Sequence, residues 1–458
     1  MDKLLSNLRA AVHQCLDGAD IDARYLGDTM HALHDAQPLA VLRPASVEQV
    51  SAALRLCHDA GVAVVPQGGR TGLAGGATAL AGSVLLSLEL MRGVIEIDPA
   101  AATLTAWAGT TLQEIQEAAA GAGFFYPVDL GGRGSCQIGG NVATNAGGNR
   151  VLRYGMTREQ VLGLEAVLAD GTVVGSLNKM LKNNTGYDLK QLFVGSEGTL
   201  GVVTRVVLRL QPRPLSTCTA MCALSGYPAV LDLLRLVRAQ LGGSLSAFEM
   251  MWPDFYGRIT ALPHRAPPLP AGYGAYVLVE ALGTDQQADQ ARFEAALALA
   301  LDAGTVLDAV VAQSGAQTDA LWAVRDGSAD LKRVFWPHVG YDVSIPAAAI
   351  GDFRDACGAA LRARWPEVEA LFFGHVGDAN LHICVKAGDG VQPEDGFDAV
   401  VYGLVRQWNG AVSAEHGIGL QKRAWLGHSR SAEDIALMRT LKRALDPRGI
   451  LNPGKIFG

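Results

Sequence analysis

Apolar and polar positions in the first part of the chain alternate as short strands and amphipathic helices require. Val41–Pro44 and Val62–Val65 are apolar enough to be strands. Between them, Ser46 and Gln49 form a capping-box pattern ahead of apolar residues at helical spacing, and Gly61 ends that predicted helix. The pattern therefore predicts a strand, a helix and a second strand in succession.

The rest of the chain continues this pattern. Predicted strands are Val84–Leu88, Leu104–Ala108, Val161–Ala169, Thr172–Val174, Thr217–Leu224, Ser246–Met251, Ala275–Ala281, Asp342–Ile345, Leu371–His375 and Leu381–Val385. Predicted helices are Thr111–Ala122, Pro228–Gln240, Asp285–Leu301, Thr318–Arg333 and Ala347–Arg364. Asp170 and Gly171 predict a two-residue hairpin turn. Beyond about Pro214, strands and helices interleave without a long parallel run, which predicts an α+β cap domain with an antiparallel sheet covered by helices.

Two glycine-rich stretches interrupt the regular elements. Pro66–Gly76 follows a predicted strand directly, and Pro127–Gly148 carries seven glycines with almost no charge. Glycine lets a ligand approach backbone N–H groups closely, so both stretches predict cradles rather than helices or strands. Neither matches GxGxxG, which argues against a Rossmann dinucleotide site. Pro253–Tyr273 is predicted to be a long loop.

Composition narrows the class of protein. The 458 residues carry a net charge of −7 without a basic stripe, so nothing favours a nucleic-acid partner. The seven cysteines form no CxxC pair, which suits a reducing compartment. The N-terminal stretch lacks a secretory pattern, and no apolar run reaches membrane-spanning length. We therefore expect a cytoplasmic protein with no membrane span.

Candidate chemistry lies in two short segments. GHVGDANLH places His375 and His382 on either side of a Gly–Asp turn, and SAEHGIG contains Glu415 and His416. Two histidines and a glutamate form the ligand set of many catalytic zinc sites, in which one coordination position stays open. The alternative is structural: each histidine would bond a backbone carbonyl, and Glu415 would cap a helix.

The glycine-rich stretches, together with NTGYDLKQLFVGSEGTLG and LNPGKI, resemble the FAD-binding fold of the vanillyl-alcohol oxidase and p-cresol methylhydroxylase (PCMH) superfamily. The resemblance implies a two-subdomain PCMH-type FAD-binding domain over residues 1–213, a substrate or cap domain over 214–408, and a segment over 409–458 that returns to the flavin. Arg70 and Thr71 stand where some relatives carry a flavin-linking histidine, so non-covalent FAD is expected. The residues expected to bind it are Pro66, Gly68, Gly69, Arg70, Thr71, Gly72, Gly75, Gly76, Asp129, Gly132, Ser135, Gly139, Gly140, Asn141, Thr144, Gly147, Glu197, Gly198, Gly201, Val203 and Asn452.

GHVGDANLH and SAEHGIGLQKR further resemble the FAD-dependent D-2-hydroxy-acid dehydrogenases, in particular those acting on D-2-hydroxyglutarate. The resemblance implies that His375, His382 and Glu415 bind a divalent metal, Zn²⁺ or a substitute such as Mn²⁺ or Co²⁺. It also implies that His416 is the general base and that Arg325 clamps a substrate carboxylate. The expected reaction is hydride transfer from C2 of a D-2-hydroxy acid to flavin N5, which yields the 2-oxo acid.

This chain departs from the D-2-hydroxyglutarate pattern at three polar positions, where it has Ala329, Gly340 and Cys384. Cys384 shares a strand face with His382 and is still expected to border the substrate. Two interpretations stay open: Lys332, Arg333 or His338 could replace the lost contacts, or the pocket prefers a less charged or bulkier D-2-hydroxy acid.

Other functions compete with this interpretation. D-Lactate or glycolate oxidation, as one subunit of a larger oxidase, is the nearest alternative. A zinc hydrolase and a non-enzymatic flavin or metal carrier are more distant ones. Family resemblance implies an electron-transferring flavoprotein or a quinone-linked carrier as electron acceptor, and a homodimer stays open.

Overall fold

The computed structural model describes residues 2–29, 36–263 and 265–457, which form two compact units. The first unit comprises residues 1–148, 155–213 and 415–458, and the second comprises 149–154 and 214–414. Met1 and residues 30–35 of the predicted FAD-binding domain lie outside the described residues, as do His264 and Gly458 of the later segments.

The regular elements are as follows. The helices are α1 (Asp2–Ala11), α2 (Val47–Ala60), α3 (Leu112–Gly121), α4 (Ile138–Thr144), α5 (Val151–Tyr154), α6 (Thr157–Gln160), α7 (Lys190–Phe193), α8 (Tyr227–Leu241), α9 (Pro253–Thr260), α10 (Gln286–Asp302), α11 (Gly315–Arg325), α12 (Leu331–Val334), α13 (Ile350–Arg364), α14 (Glu394–Gln407) and α15 (Ala432–Leu445). The strands are β1 (Gln14–Leu16), β2 (Ala40–Arg43), β3 (Val64–Gln67), β4 (Val84–Ser87), β5 (Val94–Asp98), β6 (Thr103–Trp107), β7 (Phe124–Phe125), β8 (Val161–Val167), β9 (Val173–Ser176), β10 (Val202–Arg209), β11 (Gln211–Pro212), β12 (Ser216–Leu224), β13 (Leu245–Met251), β14 (Ala275–Gly283), β15 (Asp308–Val311), β16 (Val339–Ser344), β17 (Glu369–Gly374) and β18 (Asn380–Lys386).

The first unit contains two main sheets. One has the order β1-β2-β4-β3, in which β2, β4 and β3 run parallel, and the other is antiparallel with the order β5-β6-β10-β8-β9. A single buried apolar cluster takes residues from both sheets and from α2, α3 and α4. Strand β3 ends at Gln67, so the first glycine-rich stretch begins where the parallel sheet stops.

The local signals at α2 are confirmed. The Ser46 side chain accepts a hydrogen bond from Gln49 N at 3.4 Å, which makes Ser46 the N-cap. Gly61 ends the helix at φ 66°, a left-handed conformation that favours glycine. The Gln49 side chain bonds Ala45 N rather than the N-cap backbone, so only half of the predicted capping box forms.

The second glycine-rich stretch contains a helix, and its prediction as wholly irregular is wrong. Helix α4 forms despite Gly139 and Gly140, because its first turn packs against the end of β6. Ile138 N and Gly139 N donate to Thr110 O and Ala108 O, both at 2.8 Å. A Cβ at Gly139 would lie 2.6 Å from Ala108 Cβ, so glycine permits this close packing.

The second unit is built on a seven-stranded antiparallel sheet with the order β15-β12-β14-β13-β17-β18-β16. Helices α8, α9, α10 and α11 pack on its strands, which confirms the predicted α+β class. The prediction of Pro253–Tyr273 as a loop is wrong in its first part, because α9 begins at Pro253 and buries Phe255, Tyr256 and Ile259. The single helix predicted over Thr318–Arg333 is divided by a 3₁₀ turn at Asp326–Asp330.

Candidate active site

A β-hairpin brings His375 and His382 together. Strand β17 ends at Gly374, a short turn follows, and β18 carries His382 as its third residue. Ala379 closes the turn at φ 69°. The centroids of the two imidazole rings lie 5.3 Å apart at an interplanar angle of 77°. The Gly–Asp turn therefore places both rings in one region of the second unit.

His375 is held by two charged side chains rather than by a backbone carbonyl. Its Nδ1 donates to Glu249 Oε1 at 2.7 Å, and its Nε2 accepts from Arg325 Nη2 at 2.9 Å. These directions follow because a carboxylate only accepts and a guanidinium only donates. Nε2 is consequently the nitrogen that presents a lone pair away from Glu249.

Arg325 ends α11 and is 6% exposed, so it is not a solvated helix charge. Its Nε donates to Glu249 Oε2 at 2.6 Å. Burial alone would raise the pKa of the Glu249 carboxyl, but His375 and Arg325 outweigh this effect and hold the pKa below its ordinary value. Glu249 therefore holds both His375 and Arg325, two of the site residues predicted from the sequence.

Asp342 fixes the chain segment that leads to Glu415. It is fully buried on β16, and its Oδ1 accepts from Asn380 Nδ2 at 2.9 Å. Its Oδ2 accepts from Ala414 N at 3.1 Å and from Ser413 Oγ at 3.2 Å. Both carboxylate oxygens thus hold neighbouring groups, and the residue after Ala414 is Glu415.

A group of donors suited to a metal ion meets at this segment. Asp342, His382, Glu415 and His416 each offer one ligand atom, and these atoms all lie within 4.8 Å of one another. Imidazole nitrogens and carboxylate oxygens are common ligands of Zn²⁺ and related divalent ions. The group contains two of the three predicted ligands, His382 and Glu415, whereas His375 bonds Glu249 and Arg325. Glu415 lies eight residues from both the end of α14 at Gln407 and the next helical turn, which begins at Arg423, so it does not flank a helix as a cap would.

The glycine-rich stretches of the first unit leave polar atoms without partners. Gln67 Oε1, Gln137 Oε1 and Asn141 Oδ1 are buried and have no hydrogen-bond partner among the described residues. A Cβ at Gly140 would meet no atom within 4 Å, so the backbone there faces open space. Buried polar atoms without partners are rare in folded proteins, and they fit a polar ligand that contacts them.

Arg70 adds a cation to this region. Its guanidinium lies 4.9 Å from the centre of the Tyr25 ring and donates to Gly68 O at 3.3 Å. The carboxylate of Glu89 pairs with Arg43 at 2.6 Å, and no ion pair with Arg70 is found within residues 2–29, 36–263 and 265–457. Burial lowers the pKa of Arg70, which remains a cation at neutral pH. Arg70 is therefore free to bind an anionic group.

Two predicted cofactor residues use their side chains for other contacts. The Glu197 carboxylate accepts from Ile418 N and Gly419 N, each at 2.7 Å. The Asn452 amide donates to Gly76 O at 3.0 Å and to Glu197 O at 2.7 Å. Contacts of these two residues with FAD would therefore involve their backbone.

Comparison with known proteins assigns a family. Residues 213–456 match the family described as FAD linked oxidases, C-terminal domain, and residues 38–176 match the FAD binding domain. The chain belongs to the FAD-linked oxidases.

This FAD-linked oxidase is similar to its relatives over most of their length. A D-2-hydroxyglutarate dehydrogenase of Xanthomonas citri pv. viticola is 41% identical over 92% of this chain and 89% of its own. A mitochondrial D-2-hydroxyglutarate dehydrogenase of Bos taurus is 40% identical over 91% of this chain and 76% of its own. These similarities confirm the resemblance to D-2-hydroxy-acid dehydrogenases.

Structural similarity supports the fold alone. The structure of p-cresol methylhydroxylase with substrate bound matches with a TM-score of 0.78 at 16% identity, and the match covers 99% of this chain and 96% of that one. It confirms the PCMH-type fold of this FAD-linked oxidase. FAD is its cofactor, and the partnerless oxygens beside α4 and the Arg70 cation fit such a ligand. None of the described helices combines the length and the apolar character needed to cross a membrane.

Two of the three departures from the family pattern, Gly340 and Cys384, lie on paired strands beside an aromatic cluster. Gly340 and Cys384 face each other across β16 and β18. Cys384 is buried in a cluster with Phe335 and Phe373, and burial raises the pKa of its thiol to about 12. His338 packs near Phe335 with ring centroids 5.7 Å apart, and burial lowers its pKa. Cations nevertheless lie close to this cluster: Arg258 and Lys386 lie 5.2 and 5.9 Å from the centre of the Phe335 ring, and the charges of Lys332 and Lys386 also lower the pKa of His338.

Sequence reasoning missed Glu249 as a site residue and gave Asp342 no role. Glu249 lies in the strand LSAFEMM, where every other side chain is neutral and all seven residues are buried. A lone carboxylate in a fully buried strand needs a partner, because an unpaired buried charge is costly. This isolated charge was the signal that could have identified it.

Proposed function

We propose that this FAD-linked oxidase converts D-2-hydroxyglutarate to the corresponding 2-oxo acid with the help of a divalent metal ion. The observation that carries the proposal is the group Asp342, His382, Glu415 and His416 in a chain 41% identical to a D-2-hydroxyglutarate dehydrogenase. FAD, when bound, supplies the acceptor for the hydride that leaves C2.

We assign the metal ligands to His375, His382 and Glu415. Asp342 is the other carboxylate of the group, but both of its oxygens already hold Asn380, Ser413 and Ala414. The Nε2 atom of His375 now accepts from Arg325, and in this assignment it exchanges that contact for the metal ion when Arg325 binds a substrate carboxylate. A divalent ion at these donors would act as a Lewis acid that lowers the pKa of the substrate hydroxyl. Zn²⁺, Mn²⁺ and Co²⁺ all accept such a ligand set.

The protein's own groups complete the reaction. His416 takes the hydroxyl proton as C2–H leaves with its electron pair and the C2–O bond becomes a carbonyl. Arg325 binds a substrate carboxylate, a task suited to its planar, bidentate guanidinium. We further propose that electrons pass to an electron-transferring flavoprotein or a quinone-linked carrier. The cytoplasmic location and a homodimer stay predictions.

Anaerobic reduction of the bound flavin tests the substrate. We expect D-2-hydroxyglutarate to reduce the metal-replete enzyme with a kcat/KM on the order of 100-fold above D-lactate, because a designed polar contact discriminates strongly. D-Malate and a bulkier apolar D-2-hydroxy acid complete the series, and the L-enantiomers should be inert. Faster reduction by the apolar acid would instead favour a pocket without a second carboxylate site.

Chelation tests the metal. Removal of the ion should stop flavin reduction without releasing FAD, and Zn²⁺, Mn²⁺ or Co²⁺ should restore it. His382→Ala should lower metal content, whereas Asp342→Asn should retain the metal if Asp342 only supports the loop. Full flavin reduction by the chelated enzyme would refute the metal-dependent mechanism.

A further inference from the structure

Glu197 holds the backbone that follows the proposed base. Its two carboxylate oxygens accept hydrogen bonds from Ile418 N and Gly419 N, each at 2.7 Å. These amides lie two and three residues after His416. Burial raises the pKa of Glu197, and the two N–H groups act in the opposite direction. A carboxylate that accepts two backbone N–H bonds is a strong and directional anchor.

The glycines of this loop allow it to approach the anchor. Gly417 has φ 85°, and a Cβ there would lie 2.9 Å from Glu197 Oε1. Gly419 has φ 50°, and a Cβ there would lie 2.0 Å from Ala74 O. The segment HGIG therefore has no room for side chains at two of its four positions. Its two glycines allow these close contacts.

The same loop is also bonded to the first glycine-rich stretch and to the C-terminal segment. Leu420 N donates to Ala74 O at 2.9 Å, and Ile456 N donates to Gly419 O at 2.9 Å. Four segments that are distant in sequence thus converge within the first unit. They are the loops around Ala74, Glu197, Gly419 and Asn452.

Glu197 is itself held in place. Asn452 Nδ2 donates to Glu197 O at 2.7 Å, and Lys455 Nζ donates to Asn452 Oδ1 at 2.9 Å and to Thr78 O at 3.0 Å. Lys455 is 1% exposed. The backbone of the partly exposed Glu197 is therefore tied to a buried network, which restricts its movement.

We infer that Glu197 is a positioning residue that fixes His416 through the backbone of residues 417–419. The inference rests on the proposed function, because it concerns the base of that reaction. Proton transfer requires the imidazole within hydrogen-bond reach of the substrate hydroxyl. Misplacing a reacting group by about 1 Å can cost on the order of 100-fold in rate. Without the Glu197 carboxylate, the loop that carries His416 could shift by such a distance.

The test compares Glu197→Ala and Glu197→Gln with a matched control, Asp446→Asn. Asp446 is another carboxylate of the first unit that accepts two backbone N–H groups, from Ile450 at 3.0 Å and Leu451 at 2.8 Å. We expect Glu197→Ala to slow flavin reduction by about 10- to 100-fold, with KM changed by less than about threefold and FAD retained. Glu197→Gln keeps one acceptor oxygen and should recover part of the rate. Asp446→Asn should stay near the wild-type rate per bound flavin.

A double-mutant cycle with His416→Ala tests whether Glu197 affects the rate of flavin reduction through His416. If Glu197 acts through His416, adding Glu197→Ala to His416→Ala should cause no further loss. Three outcomes would overturn the inference. The first is a further loss of rate when Glu197→Ala is added to His416→Ala. The others are a wild-type rate of flavin reduction in both Glu197 variants, and a loss of rate in Asp446→Asn equal to that in Glu197→Ala.

Hydrogen exchange separates failure of the inference from failure of the proposed function. Amides of residues 417–420 should exchange faster in the FAD-loaded Glu197 variants and at the wild-type rate in Asp446→Asn. This result does not depend on the substrate. If no D-2-hydroxy acid reduces the wild-type flavin, the proposed function fails while exchange still decides whether Glu197 anchors the loop. Unchanged exchange would refute the anchor itself.

Discussion

Glu249 Oε1 lies 2.7 Å from His375 Nδ1, and this contact determines which imidazole nitrogen of His375 faces away from Glu249. The other oxygen of Glu249 lies 2.6 Å from Arg325 Nε. One buried carboxylate therefore orients a proposed metal ligand and a proposed substrate clamp. Partners of this kind commonly tune metal affinity by about 10- to 100-fold.

Replacing Glu249 should therefore affect metal and substrate together. We expect Glu249→Gln to weaken metal binding by about 10-fold or more and to raise KM for the hydroxy acid, because an amide cannot hold both partners as a carboxylate does. Metal content after dialysis against a graded chelator, together with steady-state kinetics, measures both effects.

Glu280 provides the matched control for this variant. It is equally buried on the neighbouring strand β14, but it bonds Arg150, Ser246 and Trp322. Glu280→Gln should leave metal affinity unchanged. Equal metal loss in the two variants would mean that the effect of Glu249 is a general loss of stability.

Substitution of two adjacent glycines of α4 should affect different properties, FAD affinity in one case and folding stability in the other. A Cβ at Gly140 meets no atom within 4 Å, so Gly140→Ala should keep or raise the stability of the apoprotein by about 0.5–1 kcal/mol. The added methyl group enters the space expected for FAD, and we expect affinity for FAD to fall by about 10-fold, about 1.4 kcal/mol. FAD titration and thermal unfolding of the apoprotein measure the two quantities.

Gly139→Ala should behave in the opposite way. Its Cβ would lie 2.6 Å from Ala108 Cβ, and such overpacking typically costs about 1–3 kcal/mol of folding stability. FAD affinity of Gly140→Ala equal to that of the wild type would show that this side of α4 does not contact the cofactor.

Because of Lys455, the free energy of unfolding of the enzyme should change with pH in the alkaline range. Burial lowers its pKa to about 8, and the charges of Asp28 and Glu197 only partly offset this effect. An unfolded lysine titrates near ~10.4, so between about pH 8 and 10 the unfolded chain binds more protons. The wild type should therefore gain up to about 1.4 kcal/mol per pH unit relative to Lys455→Met across that window.

Thermal unfolding of both proteins at pH 7, 8 and 9 measures this difference. The exposed Lys182 supplies a control variant, Lys182→Met, for which the difference from the wild type should stay constant. A constant difference for Lys455→Met as well would contradict the lowered pKa. The neutral amine keeps its hydrogen bonds to Thr78 and Asn452, so the network around Glu197 should persist above pH 8.

The sequence predicted those elements whose signals are local. Ser46 and Gly61 set the ends of α2 because a cap depends on residues within one turn. The β8–β9 hairpin and the cap strands were predicted for the same reason, but Val167 pairs with Val173, so the turn holds an odd number of residues and the predicted two-residue turn at Asp170 and Gly171 is wrong. Helix α4 was missed because its glycines are stabilised by packing against Ala108, a contact that no local pattern contains.

The site residues follow the same rule: those joined by a local turn were predicted, and those brought together by distant elements were not. His375 and His382 were found because a short turn joins their strands. Glu249 and Arg325 lie 76 residues apart in sequence, and only the pairing of distant strands and helices brings them together. Glu197 was assigned to the cofactor from its motif, but the loop that its carboxylate holds begins more than 200 residues later.

The two units are not successive along the chain, and this order constrains how the protein can be made. All residues of the second unit have been synthesised once the chain reaches residue 414, whereas the first unit still lacks residues 415–458. Val64 at the start of β3 pairs with Leu451, and Glu197 bonds Ile418 and Gly419. Domains usually fold from the N-terminal side during translation. Here the flavin-binding unit, though begun first, gains its last strand partner and the loop of its proposed base only after the other unit has been translated.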